Sequence, residues 1–481
     1  MTPPRRITIE EWDARHAQWR AAGLCEPEYG GPLGRHAAEG DSRLLKLRMD
    51  DSRASLRLWN FLLTEDERLF RAQSAGKKIV GAMKDLGTVP VMAYSLPGVV
   101  AFYPDGAWWL PCLMERNTKL LAIADSLGID DSFCPVRAML GAFAGESHFP
   151  APGLLTCSVG ATCDDFSAIA QRLPGLGFPI LWWEVPHRRR PDPGEAAVGL
   201  PAGAPPKGTV PFSLTRKLGQ SPPGGFTAPE SQVAFVKAEL ERVRQAIEAF
   251  AGEPLGDERL AAGIAQANRV RQLLDELRQL AYSIDPCPLP ALEMLVAEML
   301  AIHFCSDRDE AIRVLEELAA EVRSRVGEHV GVLPAGAARI YWVNPVADLR
   351  VMNLLEDAGG RLCGSEYLFC HALATIPEDL PPMEALARTA LADPMVGSAL
   401  DRAEYICRDI RRFGAEAVVV SRIPGASHCA LEGQVIAEAV HDRLGIPVLE
   451  IEVPPITDSI EPTLRTRLEA LVEIVRQGRL P

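Results

Sequence analysis

The sequence contains no two cysteines separated by two residues, although it has 11 cysteines among its 481 residues. The cysteine spacings of zinc ribbons and ferredoxins are therefore absent, and any metal centre must be assembled from cysteines that are distant in sequence. The cysteines are odd in number and lie singly along the chain, which is typical of free thiols rather than of a disulfide framework. We therefore expect a cytoplasmic protein.

The sequence also lacks an ATP-binding loop, a long apolar segment and a net positive charge, and each absence excludes a class of function. The chain has no Gly-x-x-x-x-Gly-Lys-Ser/Thr phosphate loop, so we expect no ATP site of that kind. Its apolar runs are shorter than a membrane span and none follows Met1–Arg6, so we predict no membrane insertion and no secretory signal. A formal net charge of −14 argues against nonspecific binding of nucleic acid, although it allows a local basic pocket for a phosphate-bearing ligand.

The patterns that are present alternate between strand and helix. A chain of this length is too long for one core, so we expect two or three domains. Apolar runs of strand length occupy 89–94, 98–103, 152–158, 178–185, 339–343, 416–421 and 446–452. Helical spacing prevails in 9–84 and 231–326, and it predicts helices that include 65–83, 117–127, 164–173, 346–357 and 431–444.

This alternation predicts an α/β fold with two parallel-sheet domains, a helical N-terminal lead-in and a helical middle section. The predicted ranges are a helical region 1–87, a first α/β domain 88–186, a proline- and glycine-rich insert or linker 187–230, a helical region 231–335 and a second α/β domain 336–481.

The most informative junction surrounds Cys163. The run 154–158 has the length of a buried strand, and the helical pattern from Asp164 carries acids in its first turn, so Cys163 is predicted at or beside a helix N-terminus. Free N–H groups and the helix dipole stabilise an anion there, which makes Cys163 a candidate metal ligand or nucleophile. The alternative is a small buried hydrophobic residue.

Cys429 occupies the same kind of place near the end of the chain, between the predicted strand 416–421 and the predicted helix 431–444. Ligands of open α/β sheets gather at the carboxyl ends of the strands. We therefore expect Cys163 and Cys429, which come from two sheets, to face one cleft between the domains.

Five stretches of the chain occur together, in this order, in one known family. They are Phe133-Cys134-Pro135, Thr162-Cys163-Asp164, Ser427-His428-Cys429 with Gly433-Gln434, Gly445-Ile446-Pro447-Val448-Leu449-Glu450-Ile451-Glu452 and Arg465-Thr466-Arg467-Leu468-Glu469-Ala470. With this set, from about Val89 to the C-terminus, the chain resembles subunits of 2-hydroxyacyl-CoA dehydratases and benzoyl-CoA reductases, of the 2-hydroxyglutaryl-CoA dehydratase D-component type.

The resemblance implies two Rossmann-like domains with a helical part, and a [4Fe–4S] cluster held by Cys134, Cys163 and Cys429. Three thiolates leave one iron with an exchangeable position, which suits a Lewis acid or an inner-sphere electron donor. The family reduces a CoA-thioester substrate by one electron at low potential, to a ketyl radical anion. As partners the resemblance implies a homologous second subunit and a separate ATP-hydrolysing iron–sulfur activator protein.

The chain departs from the family pattern in three ways: Asp165 stands where a glycine is usual, Cys157 adds a thiol near the site, and the proline-rich insert is long. Cys157, on a strand end, leaves the ligand set open. His428 is the candidate catalytic residue, as a proton relay or a hydrogen-bond donor to a cluster sulfur, with a solvent-facing loop histidine as the alternative.

Several other residues invite a functional interpretation but are expected to be structural. The cysteines and tryptophans are expected to pack in the core, although the tryptophans could line a pocket for an acyl group. The arginines are expected to be solvated at the surface, although they could bind a phosphate. The groups are the cysteines Cys112, Cys305, Cys363, Cys370 and Cys407, the tryptophans Trp108, Trp109, Trp182 and Trp183, and the arginines Arg188, Arg189 and Arg190.

Three functions fit these features. The first is the cluster-bearing subunit of a CoA-thioester enzyme, either a 2-hydroxyacyl-CoA dehydratase or a benzoyl-CoA reductase, and Gly433-Gln434 favours the reductase side. The second is a double-cluster reductase of small molecules with the same fold, in which Cys157 joins the ligands. The third is a non-catalytic iron–sulfur scaffold or electron-transfer subunit.

Overall fold

The computed structural model describes residues 3–23, 31–37, 45–105, 117–201, 225–367, 372–454 and 458–479. For residue 117 and residues 428–430 it describes the backbone alone. Two four-stranded parallel sheets, each accompanied by helices, form the framework. The predicted α/β class with two parallel-sheet domains is confirmed, while the predicted domain ranges stay a prediction.

The strands are short and are numbered here in chain order. They are β1 (Arg6–Ile7), β2 (Met49–Asp50), β3 (Lys78–Met83), β4 (Val99–Phe102), β5 (Leu154–Gly160), β6 (Ile180–Val185), β7 (Ala197–Gly199), β8 (Thr227–Pro229), β9 (Ala338–Val343), β10 (Gly360–Glu366), β11 (Ala417–Arg422) and β12 (Val448–Glu452). The two small pairs, β1 with β2 and β7 with β8, are antiparallel.

The helices are α1 (Ile9–Ala21), α2 (Gly34–Ala37), α3 (Arg53–Leu63), α4 (Glu65–Ser74), α5 (Val89–Tyr94), α6 (Asn117–Ser126), α7 (Ala138–Ala144), α8 (Asp164–Arg172), α9 (Glu230–Ala251), α10 (Asp257–Ser283), α11 (Ala291–Met299), α12 (Arg308–Glu328), α13 (Arg350–Asp357), α14 (Pro382–Ala392), α15 (Ala399–Phe413), α16 (Ser427–Leu444) and α17 (Glu461–Gly478). Helices α9 to α12 form the predicted helical middle section. Across the described part of the chain, no helix is both long and apolar enough to cross a membrane.

Both sheets have the same winding. The first has the strand order β4-β3-β5-β6 and the second β10-β9-β11-β12, so in each the first strand in sequence lies between the second and the third. The direction of winding reverses between β3 and β5 and between β9 and β11. At such a switch point the loops after the two strands leave a crevice that is the usual ligand site of open parallel sheets. The residues after β5 and β11 therefore include the predicted site positions.

Two predicted elements of the first domain are wrong. Lys78–Met83 is strand β3 rather than the end of a helix, and Val89–Tyr94 is helix α5 rather than a strand. The buried carboxylate of Asp85 accepts hydrogen bonds from the backbone N–H groups of residues 87–89 at 2.8 to 3.1 Å. These bonds satisfy backbone N–H groups that would otherwise be unpaired at the start of α5. The stabilisation of the helix start outweighs the strand propensity of residues 89–94. The first sheet consequently begins inside the predicted helical lead-in.

The second domain also differs in detail from the sequence patterns. Helix α16 begins at Ser427 instead of residue 431, so Cys429 lies in the first turn of the helix and not in the preceding loop. Helix α13 begins at residue 350, four residues later than predicted, and the edge strand β10 was not predicted. Gly359 and Gly360, at the start of β10, resemble the end of a helix that is followed by a loop, so no strand was predicted there.

The run of three arginines is not wholly solvated, contrary to expectation. Arg188 is 6% exposed and donates through Nη1 to the carbonyl oxygens of Leu391 (2.6 Å) and Asp393 (3.0 Å). Its guanidinium also lies over the ring of Phe226 at 3.8 Å. The carbonyls at the end of α14 need donors, and Arg188 supplies them, so this residue attaches the insert to the second half of the chain.

Glu293 is a buried acid at the contact between the lead-in and the helical section. Its Oε1 accepts hydrogen bonds from Asp50 N (2.9 Å), Ser55 Oγ (3.2 Å) and Trp59 Nε1 (2.8 Å). Burial, and secondarily the Asp50 carboxylate, raise the pKa of Glu293 to about 8. The folded protein therefore keeps this proton to a higher pH than the unfolded chain.

Glu293→Gln should stabilise the protein at pH 8 and have little effect at pH 4.5. Between the unfolded and the folded pKa only the unfolded chain releases the proton, so the wild type loses stability as pH rises, whereas the amide does not titrate. The gain at pH 8 should be a few kcal/mol, since one pKa unit corresponds to about 1.4 kcal/mol. Urea unfolding of both proteins at the two pH values measures it, and an equal difference at both would contradict the shifted pKa.

Candidate functional site

Cys163 is the N-cap residue of α8, at the end of the turn that follows β5. The turn is tight, since Gly160 and Thr162 both have left-handed backbone, with φ of 94° and 75°. Cys163 is 8% exposed, and its Sγ donates to Asp165 Oδ2 at 3.8 Å. Its predicted position at a helix N-terminus is confirmed, beside N–H groups that have no partner within the helix.

Cys134 lies on the connection between β4 and β5, where it begins a 3₁₀ turn over Pro135–Arg137. It is 8% exposed, like Cys163. Arg137 donates from its backbone N to Cys134 O at 3.0 Å and from Nη1 to Phe133 O at 3.2 Å. The carbonyls on both sides of the Cys134 Cα are therefore bound to one buried arginine, which fixes the backbone of this turn.

The loop before α16 packs directly on the Cys134 turn. At Gly425, with φ of 79°, an added Cβ would lie 2.8 Å from the carbonyl carbon and oxygen of Phe133 and 3.2 Å from Cys134 N. Two residues further on, Ser427 N donates to Asp165 Oδ2 at 3.1 Å. The segments of Cys134, Cys163 and Cys429 thus meet at one place.

Asp165 is the residue that joins two of these segments. The same carboxylate oxygen accepts from Cys163 Sγ at the N-cap of α8 and from the backbone N of Ser427 at the start of α16. Burial raises the pKa of the Asp165 carboxyl, and the hydrogen bonds from Ser427 and Cys163 oppose that shift. The departure from the family pattern at this position therefore supplies a tether between the two sheets.

The positions of Cys429 and His428 are described for the backbone alone. Both are in the first turn of α16, next to Ser427. Among the described side chains, which include neither of these two, no group of three or more histidines, cysteines or acids is placed to hold a metal ion. The three-cysteine ligand set and the role of His428 therefore stay predictions.

Cys157 lies inside β5 and not at its end, since the strand continues to Gly160. The residue is fully buried, and its Sγ donates to Ser158 O at 3.3 Å. Burial raises the pKa of the Cys157 thiol to about 12, so the thiol is neutral at pH 7. These features favour packing over ligation for Cys157.

The other residues expected to pack in the core do so wherever the structure describes them. Cys305, Cys363, Cys407 and Trp183 are buried, and Trp182 is half-buried. Cys112, Cys370, Trp108 and Trp109 are outside the described residues.

Lys84 is a charged residue at the site that was missed from the sequence. Lys84 directly follows β3 and is 2% exposed, and its Nζ donates to Ser167 Oγ of α8 at 3.0 Å. Burial lowers the pKa of the Lys84 ammonium, while the negative charge of Asp164 acts in the opposite direction. Reading residues 78–83 as a strand would have revealed Lys84, because it then stands at the carboxyl end of a central strand.

Gly425→Ala should be clearly more destabilising than Gly445→Ala at the other end of α16. Both glycines have left-handed backbone, but nothing lies within 4 Å of a Cβ at Gly445, whereas at Gly425 it meets the backbone before Cys134. Strain alone costs about 1 to 2 kcal/mol, and the clash should add about 1 to 3 kcal/mol. Denaturant unfolding of the two variants measures the difference, and equal losses would mean that the two loops are not in contact.

The fold and these contacts define a two-sheet α/β protein whose cysteine-bearing segments converge at strand ends. Residues 98–475 match the family model described as 2-hydroxyglutaryl-CoA dehydratase, D-component. Because the match spans well over half of the chain, the protein belongs to this family, and the resemblance seen in the sequence is confirmed. No curated protein matches the sequence.

Membership in this family indicates the general role of the protein. The matched family is that of a dehydratase component, which supports a dehydratase-type enzyme subunit, a lyase, for a CoA thioester. The designation as one component implies a partner subunit. The matched residues include Cys134, Cys163 and Cys429, but they begin after Lys84.

Proposed function

We propose that this protein is the subunit of a 2-hydroxyacyl-CoA dehydratase that carries one [4Fe–4S] cluster on Cys134, Cys163 and Cys429. The observation that carries the proposal is the meeting of the three cysteine segments, through the contact of Gly425 with the Cys134 turn and the bond of Ser427 to Asp165. These segments connect strands of two different sheets, so they meet only in the folded chain.

The chemistry of the donor set fits such a cluster. Cysteine thiolates are the usual ligands of [4Fe–4S] clusters, and three of them leave one iron open to an exogenous group. Cys163 caps α8 and Cys429 lies in the first turn of α16, so N–H groups at two helix starts favour the negative charge of bound thiolates. The Lys84 ammonium, which donates to Ser167 one turn further along α8, adds a positive charge near this helix start.

Dehydration is the reaction we propose, in preference to the aryl-CoA reduction that Gly433-Gln434 favoured, because the matched family is a dehydratase component. When bound, the cluster supplies an electron at low potential to the thioester carbonyl of the substrate. The protein's own part is to hold the thiolates, to keep bulk water from Cys134 and Cys163 by burial, and to move a proton through the imidazole of His428. The partner subunit and an ATP-hydrolysing activator protein complete the system.

Iron and sulfide analysis of protein prepared with and without oxygen tests the proposal. A cluster with an open iron position should be lost in air, so the aerobic protein should be colourless. The anaerobic protein should be brown, with about four irons and four sulfides per chain, and should give a cluster signal in electron paramagnetic resonance once it is reduced. Absence of iron from the anaerobic protein would refute the proposal. More than four irons per chain would favour a double-cluster reductase instead.

A further inference from the structure

Lys84 is a buried cation in a fixed position. Its backbone is left-handed, with φ of 52°, and its carbonyl oxygen accepts a hydrogen bond from Ser158 Oγ of the neighbouring strand. Met83, the residue before it, pairs with Cys157 across the sheet. The side chain crosses from β3 to α8, where Nζ donates to Ser167 Oγ at 3.0 Å. Ser167 lies one turn into the helix that Cys163 caps.

The ammonium group forms no ion pair with a carboxylate in the part of the chain that the structure describes. A hydroxyl is its hydrogen-bond partner, and its lowered pKa reflects the loss of water. A buried cation is costly unless a negative charge lies near it. The negative charges that act on it are those of Asp164 and of the proposed ligand thiolate of Cys163, whereas the buried Cys157 thiol is neutral.

We propose that Lys84 raises the reduction potential of the cluster by placing a positive charge beside the Cys163 end of the site. The inference rests on the proposed function. Adding an electron makes a thiolate-bound cluster more negative, and a nearby positive charge stabilises the reduced form more than the oxidised form. Low dielectric around Lys84 strengthens this effect. Lys84 is thus a tuning residue that acts through the cluster environment and not by contact with the substrate.

Lys84→Met tests the proposal, since methionine keeps the apolar stem and removes the charge. Lys78→Met is the matched control: it removes the same charge from the exposed start of the same strand, about 20 Å away at 3.3 Å per residue, where Nζ binds the carbonyl oxygens of Phe250 and Ala251. Each protein is prepared without oxygen, with its partner subunit when that copurifies. Iron is counted first, and the cluster is then titrated with reductant under electron paramagnetic resonance.

Lys84→Met should bind the wild-type amount of iron, but its equilibrium constant for cluster reduction should fall at least about tenfold, which is about 59 mV to lower potential for one electron. Lys78→Met should match the wild type. An unchanged potential in Lys84→Met overturns the inference and leaves the proposed function intact. Absence of a cluster from the wild type refutes the proposed function itself, and the inference with it.

Lys84→Arg decides the remaining case, in which Lys84→Met loses iron. If arginine restores the iron and a wild-type potential, a positive charge is what the position requires, and the proposal stands. If arginine leaves the iron low, the side chain is needed for its shape and its bond to Ser167, and the proposal is overturned.

Discussion

Anaerobically purified Cys134→Ala, Cys163→Ala and Cys429→Ala proteins should each contain close to no iron, and their dehydratase activity should fall with it. Each change leaves two thiolates, too few to hold a cube of four irons. The fold should survive, because the exchange of cysteine for alanine removes only a sulfur atom and leaves the rest of the extensive buried core in place. Iron analysis and far-ultraviolet circular dichroism of the same samples measure the two effects.

Cys305→Ala and Cys407→Ala are the controls, since both thiols are buried among apolar residues and should be dispensable for iron. Cys157→Ala is the decisive comparison. It should keep its iron, because the Cys157 thiol is fully buried and burial raises its pKa to about 12. Loss of iron in Cys157→Ala together with full iron in Cys163→Ala would move the ligand from the helix start to the strand.

Arg278→Met should strongly destabilise the protein. Arg278 is fully buried on α10 and pairs through Nη1 with Glu298 Oε1 at 2.8 Å and through Nη2 with Asp409 Oδ2. Methionine would leave both carboxylates buried without a cation, which costs about 3 to 5 kcal/mol. Because Asp409 also accepts from Tyr341 OH at 3.1 Å, the loss should loosen the second sheet from the helical section. Urea unfolding measures the change.

Arg269→Met on the same helix provides the matched control. Arg269 forms an ion pair with Glu316 at 2.5 Å, but both side chains are close to half exposed. An exposed pair contributes about 0 to 1 kcal/mol. Equal losses in the two variants would show that the Arg278 network is solvated and would contradict its burial.

Local patterns in the sequence predicted those elements whose stability is local. The strand at 154–158 and the helix after Cys163 were predicted correctly because their signals are local. The length of the apolar run indicates the strand, and the apolar spacing with acids in the first turn indicates the helix. The segment 89–94 was misassigned because the Asp85 carboxylate caps the helix that begins there. The segment 78–83 was misassigned because its pairing with β4 and β5 is made with residues distant in sequence. The long-range contacts that select between helix and strand in such short apolar runs leave no periodic trace.

The sequence by itself determined the α/β class, the family, the placement of Cys163 at a helix start and the set of three candidate cysteines. Only the tertiary structure decided that the segments of these cysteines are in contact and that Cys157 is buried within a strand. It also decided that Lys84 and Asp165 belong to the site. The physical reason is distance along the chain: Asp165 and Ser427 are 262 residues apart. Hydropathy and residue spacing predict the structure and burial of a single helix or strand. The charges and packing around the cysteines instead depend on where the loops of two sheets meet.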